Sequence, residues 1–363
     1  MKAFTRRKSL RLAALATAVV LGAGGIALFA MRPPSEPPQK DMVVDKATRA
    51  ETVEAAAAQL EHAYVYPDKG AALAGTLRDK LRHGGYEGIA SAEELAKTLT
   101  GDLQRDSHDR HLEVRYFEQQ VPVASAQREA EQSAEELEHG QFFNFGFENV
   151  DRLKGDLGYI ELRSFSRPAQ AASRIESAMG LLADTQGLII DLRRCEGGDP
   201  DTVMLFASYL FDKPTHLNDI VMRDEPHPEE RWTTATVPGR RYGQSRPVYL
   251  LTSDETFSGC EDFAYGLKYA GRATIVGETT GGGAHPGSPQ RLGAHFEMFV
   301  PAGRSLNPVT HTDWEGVGVK PDVATSAKAS LDTAQLTILK RLLAAETDPR
   351  KTQRYKSRLA ELE

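Results

Sequence analysis

The stretch Gly187–Val203, GLIIDLRRCEGGDPDTV, decides the fold. Gly187–Leu192 is a short apolar run rich in branched residues, the pattern of a strand buried on both faces. The glycine pair Gly197 and Gly198 then turns the chain. Asp199 fits a helix N-cap and Pro200 the first helical turn. Val203, Phe206 and Leu210 follow on one helical face. The next apolar run, Val248–Leu251, reads as another strand, so the unit is a βαβ crossover. In parallel sheets of this kind the loops at the carboxyl ends of the strands share one crevice, where ligands bind.

The second of those loops runs into Thr252–Lys268, TSDETFSGCEDFAYGLK. It places Ser258 where the strand gives way to an amphipathic helix. A hydroxyl there lies beside unpaired backbone N–H groups and the positive end of the helix dipole, which stabilise an alkoxide or oxyanion. An ordinary N-cap serine reads the same way in isolation. The crossover would bring Ser258 to Gly197 and Gly198. With Gly259, these glycines offer N–H groups that no side chain screens, a possible oxyanion hole; a plain tight turn accounts for the glycine pair equally well.

Five motifs occur in order: GYIELRSF (Gly158–Phe165), IIDLRRCEGG, TFSGCEDFAYGLK, ATIVGETTGGG and DWEGVGVKPD. Together they resemble the C-terminal processing, or tail-specific, serine peptidases, nearest the branch similar to the repeats of interphotoreceptor retinoid-binding protein. The resemblance runs from about Ala50 to Ala324. It implies an α/β, crotonase-like or ClpP-like core, Ser258 as nucleophile, and Gly259, Gly197 and Gly198 as oxyanion donors; the apolar stripes of Asp45–Gln104 add an N-terminal helical domain. Many of these peptidases carry a PDZ module; Val114–Leu157 is too short and polar to hold one, so none is expected.

The departures from that pattern concern the base. Many relatives use a lysine after a GExTxG stretch. Here Gly277–Gly287 reads GETTGGGAHPG, with Gly283 and Ala284 at the lysine's place. Tricorn-like relatives use serine, histidine and a carboxylate instead, and DRHLEV supplies His111 while DWEGVGVKPD supplies Glu315. A neutral imidazole takes the serine proton, and a carboxylate holds the ring and stabilises the imidazolium. His108 and His285 rival His111, and Glu278 rivals Glu315. The resulting expectation is a serine peptidase acting on short or unfolded peptides. The alternatives are a non-catalytic module that binds small apolar ligands and a serine esterase.

Composition agrees with a globular chain: 363 residues, 40% hydrophobic, formal charge −7. Met1–Ala30 carries Lys2, Arg6, Arg7, Lys8 and Arg11 and no acid, so the remainder is more acidic still, which disfavours nucleic acid as a partner. A basic start and an apolar run from Leu12 to Met31 predict export to the periplasm. This segment is either a cleaved signal or an inner-membrane anchor. In an oxidising compartment Cys195 and Cys260 could form a disulfide, or remain two separate core residues. No histidine or cysteine pair has the spacing of a metal site, and no cofactor is expected. The expected organisation is a targeting segment and proline-rich linker (1–40), a helical domain ending in a strand (41–124), a polar linker (125–150), the α/β domain (151–330) and a terminal helix (331–363).

Overall fold

A computed structural model describes residues 39–123, 134 and 136–363. Residues 1–38 of the targeting segment and its linker, and 125–133 and 135 of the polar linker, lie outside the described residues. Helices α1 (Lys46–Ala63), α2 (Pro67–Arg82) and α3 (Ala92–Ser107) come first, followed by strand β1 (Glu113–Tyr116). Ser91 caps α3, its hydroxyl accepting the Glu94 N–H at 3.0 Å.

The central sheet has six strands. They are β2 (Phe147–Leu153), β3 (Leu157–Leu162), β4 (Gly187–Asp191), β7 (Val248–Thr252), β8 (Thr274–Gly277) and β12 (Val323–Ala324). Their spatial order is β12-β8-β7-β4-β3-β2; all neighbours are parallel except the β2–β3 hairpin. Between the parallel strands run α4 (Pro168–Leu182), α5 (Pro200–Ser208) and α6 (Gly259–Tyr269). Asp199 caps α5 and Pro200 begins it.

Alternation along the strands divides the sheet between two cores. Leu188, Ile190 and Leu250 pack with Phe206 and Phe263 under the crossover helices. Ile189, Tyr249 and Leu251 pack on the opposite face against Ile338, Leu339 and Tyr355. Those last residues belong to α7 (Ser330–Ala345) and α8 (Pro349–Leu362), so the chain's terminal stretch is a helix pair covering the sheet. With both faces covered, all ten residues of β4 and β7 are buried, and they are apolar except for Asp191 and Thr252 at the carboxyl ends.

A second sheet pairs β11 (Gly303–Leu306), β5 (His216–Met222) and β6 (Glu229–Trp232). The third joins β1 to β10 (Phe296–Pro301) and β9 (Gly287–Arg291). This last sheet changes the boundary of the N-terminal unit. Leu292, Phe296, Met298 and Val300 enter the same core as Leu60, Leu95 and Leu99 of α1 and α3. The helical region at the N-terminus is therefore completed by residues that follow the nucleophile helix in sequence. β10 is buried at all six positions; one face meets these helices, and Phe299 on the other lines the cleft.

Candidate active site

Register brings two loops together at the carboxyl ends of β4 and β7, where Asp191 pairs with Leu251. Thr256 Oγ1 donates to Leu192 O at 2.7 Å, and Phe257 N donates to Cys195 O at 2.9 Å. These bonds hold the turn that presents Ser258 at the N-terminus of α6. Ser258 has φ 50° and ψ −123°, a left-handed conformation that costs a non-glycine residue about 1–3 kcal/mol and that surrounding contacts must impose. Its N–H donates to Glu261 Oε2 at 2.9 Å, while its Oγ faces His111 Nε2 at 3.1 Å.

Glu261 ties several backbones together. Its buried carboxylate accepts the N–H groups of Gly282 at 2.7 Å and Gly283 at 2.8 Å as well as that of Ser258, and also the Thr280 hydroxyl. Burial pushes its pKa up to about 7, against these bonds. The Ser-x-x-Glu spacing is a capping-box signature that could have marked this residue in the sequence.

The oxyanion loop depends on glycine. Gly197 and Gly198 have φ of 123° and 133°, and a Cβ on Gly198 would fall 2.2 Å from Phe165 O. The Gly197 N–H points to Cys260 Sγ at 3.1 Å. Among the described residues the N–H groups of Gly198 and Gly259 have no hydrogen-bond acceptor, and both residues line the cleft with Ser258. Cys195 and Cys260 form a disulfide with Cα atoms 5.9 Å apart, joining the oxyanion loop to α6.

His111 arrives from the other core, in the turn between α3 and β1. Its ring is 2% exposed and lies 4.6 Å from that of Phe257 and 5.7 Å from that of Phe299, centroid to centroid. Its N–H donates to Asp109 Oδ1 at 3.0 Å, an Asx-type turn that fixes the backbone. Burial pushes its pKa down to about 4, with the charges of His285 and Arg110 acting in the same direction and Asp109 opposing, so the ring is neutral at pH 7. Arg110 clamps the neighbouring loop, donating to Gly281 O at 2.9 Å and lying 5.0 Å from the Phe257 ring.

The carboxylate nearest His111 is Asp109, with Oδ1 3.8 Å from Nδ1. Asp109 Oδ2 accepts from Tyr64 Oη at 3.1 Å and faces His285 Nδ1 at 2.6 Å. Glu315 accepts the Ala284 N–H at 2.6 Å and lies 3.6 Å from His285 Nδ1. Burial opposes charge on both His285 and Asp109, but their hydrogen bond and mutual attraction prevail, raising the imidazole pKa and lowering the carboxyl pKa. Burial and the Asp109 charge raise that of Glu315. Asp109, His111 and Glu315 offer ligand atoms within 4.8 Å of one another, but each already makes a hydrogen bond within the protein.

Ser258, Gly259, Gly198 and His111 thus converge, with a Glu315 carboxylate oxygen within 4.8 Å of a His111 ring nitrogen. His108 is exposed at the C-terminal cap of α3, and Glu278 accepts the Ala327 N–H at 2.9 Å. Asp109, two residues before His111 in the DRHLEV motif, and the partnership of His285 with it went unmarked by sequence reasoning. The cleft holds a cavity of about 50 Å³ and is walled by Ile220, Pro286, Phe299 and Trp314.

Residues 156–325 match the model of peptidase family S41, and residues 42–141 match that of the N-terminal domain of this family in eukaryotic IRBP. The carboxyl-terminal-processing peptidase 3 of Arabidopsis thaliana, a chloroplastic protein, is 29% identical over 168 residues, 46% of this chain and 31% of that protein. The chain thus spans about a third of the length of the curated relative it matches. Two solved structures share the fold. A lipoprotein from Streptococcus agalactiae has a TM-score of 0.53 at 14% identity, covering 86% of this chain and 100% of that one. A candidate peptidase from Parabacteroides merdae has a TM-score of 0.51 at 18% identity, covering 77% and 90%.

Proposed function

The chain belongs to peptidase family S41, and we propose that it cuts peptide bonds in short or unfolded peptides through an acyl-enzyme on Ser258. The observation that carries this reading is the 3.1 Å approach of Ser258 Oγ to His111 Nε2. Ser258 attacks the scissile carbonyl as His111 takes its proton. The N–H groups of Gly198 and Gly259 receive the oxyanion. His111 then returns the proton to the leaving amine, and water, activated by the same ring, releases the acid. Asp109 and Glu315 act behind the ring, the first through its position beside Nδ1, the second from within 4.8 Å of a ring nitrogen. Gly283 and Ala284, where relatives' lysine would be sought, leave the base to a histidine.

Export is part of the proposal. It is supported by the basic and apolar sequence of Met1–Met31 and by the Cys195–Cys260 bond, which suits an oxidising compartment. Among the described residues no helix is long and apolar enough to cross a membrane.

A fluorophosphonate probe tests the chemistry without knowledge of the substrate. The expected result is labelling of the wild type that Ser258→Ala abolishes and His111→Ala reduces strongly. A folded wild type that fails to label under any condition overturns the hydrolase reading and leaves Ser258 as a helix cap.

A further inference from the structure

The nucleophile helix presents an acidic group to the cleft, which Glu196 of the oxyanion loop also lines. Asp262 follows Ser258 by one helical turn, about 6 Å along the axis, and lines the same cleft.

Neighbouring residues fix the Asp262 carboxylate. Asn218 Nδ2 donates to Asp262 Oδ1 at 2.5 Å, and Asn218 Oδ1 in turn accepts from Asn307 Nδ2 at 2.8 Å. The second bond sets the Asn218 amide so that a donor, not an acceptor, meets the carboxylate. The other Asp262 oxygen has no hydrogen-bond partner among the described residues. Arg231 is the nearby cation, but it is already held by Asp201 at 2.6 Å and Glu229 at 2.5 Å. Burial pushes the Asp262 pKa up to about 6, with Asn218 and Arg231 opposing, which leaves the group mainly ionised at pH 7.

The walls complete the chemistry. Ile220 and Ser305 face each other across β5 and β11, and both line the cleft with Trp314 and Pro286. No lysine or arginine is among the residues lining it. Apolar walls ending at a fixed carboxylate suit an aliphatic stem that ends in a cation.

Resting on the peptidase reading above, we propose that Asp262 forms the end of a subsite for the lysine or arginine side chain of the residue that Ser258 acylates.

Fluorogenic peptide amides that differ only in lysine or norleucine at that residue test the proposal. The expected wild-type ratio of kcat/KM, lysine over norleucine, is about 10- to 100-fold, the worth of one hydrogen bond to a charged group. In Asp262→Asn, which retains an oxygen for Asn218, the ratio should collapse to within about threefold of unity. Because a ratio is read, general loss of activity in the variant cancels. A wild type that cleaves norleucine as well as lysine, or a preference that survives Asp262→Asn, overturns the subsite while leaving the hydrolase intact. Should neither the peptides nor the phosphonate react, the hydrolase reading fails, and calorimetry with benzamidine still decides the subsite. Binding by wild type that Asp262→Asn weakens at least tenfold supports it; binding that is absent or unchanged rejects it.

Discussion

Asp109 holds one carboxylate oxygen 2.6 Å from His285 Nδ1 and the other 3.8 Å from His111 Nδ1, so a single buried acid faces both imidazoles. Asp109→Asn keeps the shape and removes the charge. We expect kcat to fall by about 10²- to 10⁴-fold with KM little changed, the pattern of a lost transition-state interaction. Glu315→Gln should cost less, since one Glu315 oxygen is engaged by the Ala284 N–H and Asp109 stands 3.8 Å from the His111 ring. Steady-state kinetics on both variants rank them, and the reverse order makes Glu315 the group that orients His111.

The depressed pKa of His111 makes stability depend on acidity. The ring's pKa is about 4 in the folded protein against an ordinary 6.5. Between those values the unfolded chain binds more protons, so stability falls as pH drops. The contribution of the neutral ring is complete above about pH 6.5 and lost by about pH 4, on the order of 3 kcal/mol. Urea midpoints of Ser258→Ala with and without His111→Gln, taken from pH 7.5 to 4, should differ by an amount that shrinks on acidification. A pH-independent difference contradicts the prediction.

Glu261→Gln gives the carboxylate's four donors one acceptor oxygen and an opposing NH₂ group. We expect a stability loss of about 1–3 kcal/mol and slower phosphonate labelling, because the same bonds set Ser258 and the Gly282–Gly283 loop. Thermal melts and labelling rates on one preparation check both. An unchanged labelling rate in a destabilised variant limits Glu261 to a scaffold role.

Gly283 has no room for a side chain. A Cβ there would lie 2.3 Å from Phe257 Cζ and 2.5 Å from His111 Cε1. Gly283→Ala should therefore displace the base and cut kcat/KM by about 10²-fold or more. Gly293, whose Cβ would have nothing within 4 Å, is the control, and Gly293→Ala should match the wild type. Equal activity of the two variants rules out the steric argument.

The Cys195–Cys260 bond closes a loop with a sequence separation of 65. Its loss in Cys195→Ser/Cys260→Ser should cost about 2–4 kcal/mol, read as a lower urea midpoint. Titration of the unfolded, unreduced wild type should find no reactive thiol; two reactive thiols reject the bond in solution.

Much of the sheet was legible because its signals are local. An apolar run bounded by glycine, Asp199 and Pro200 specifies strand, turn and helix wherever it occurs. The nucleophile turn was legible for the same reason. Hidden in the sequence were relations across long separations: β10 completing the N-terminal core, 176 positions between Asp109 and His285, and a Gly197 N–H directed at a sulfur. Periodicity shows that Phe296 and Met298 share a face, but not which helices meet it. DRHLEV pointed to its histidine while leaving open which acid stands behind the ring, since Asp109 reaches it by a backbone turn and Glu315 comes beside it from a loop about two hundred residues later.

The space beside Gly283 also bears on how such sites change during evolution. His111 Cε1 occupies ground that any side chain at residue 283 would need. A lysine base introduced there would have to expel the imidazole, and removing the imidazole first would leave the serine with no base. The two solutions to activating the serine are therefore not neighbours by single substitution. A lineage moving from one to the other must pass through an inactive intermediate, or change both positions and the Phe257 ring between them together.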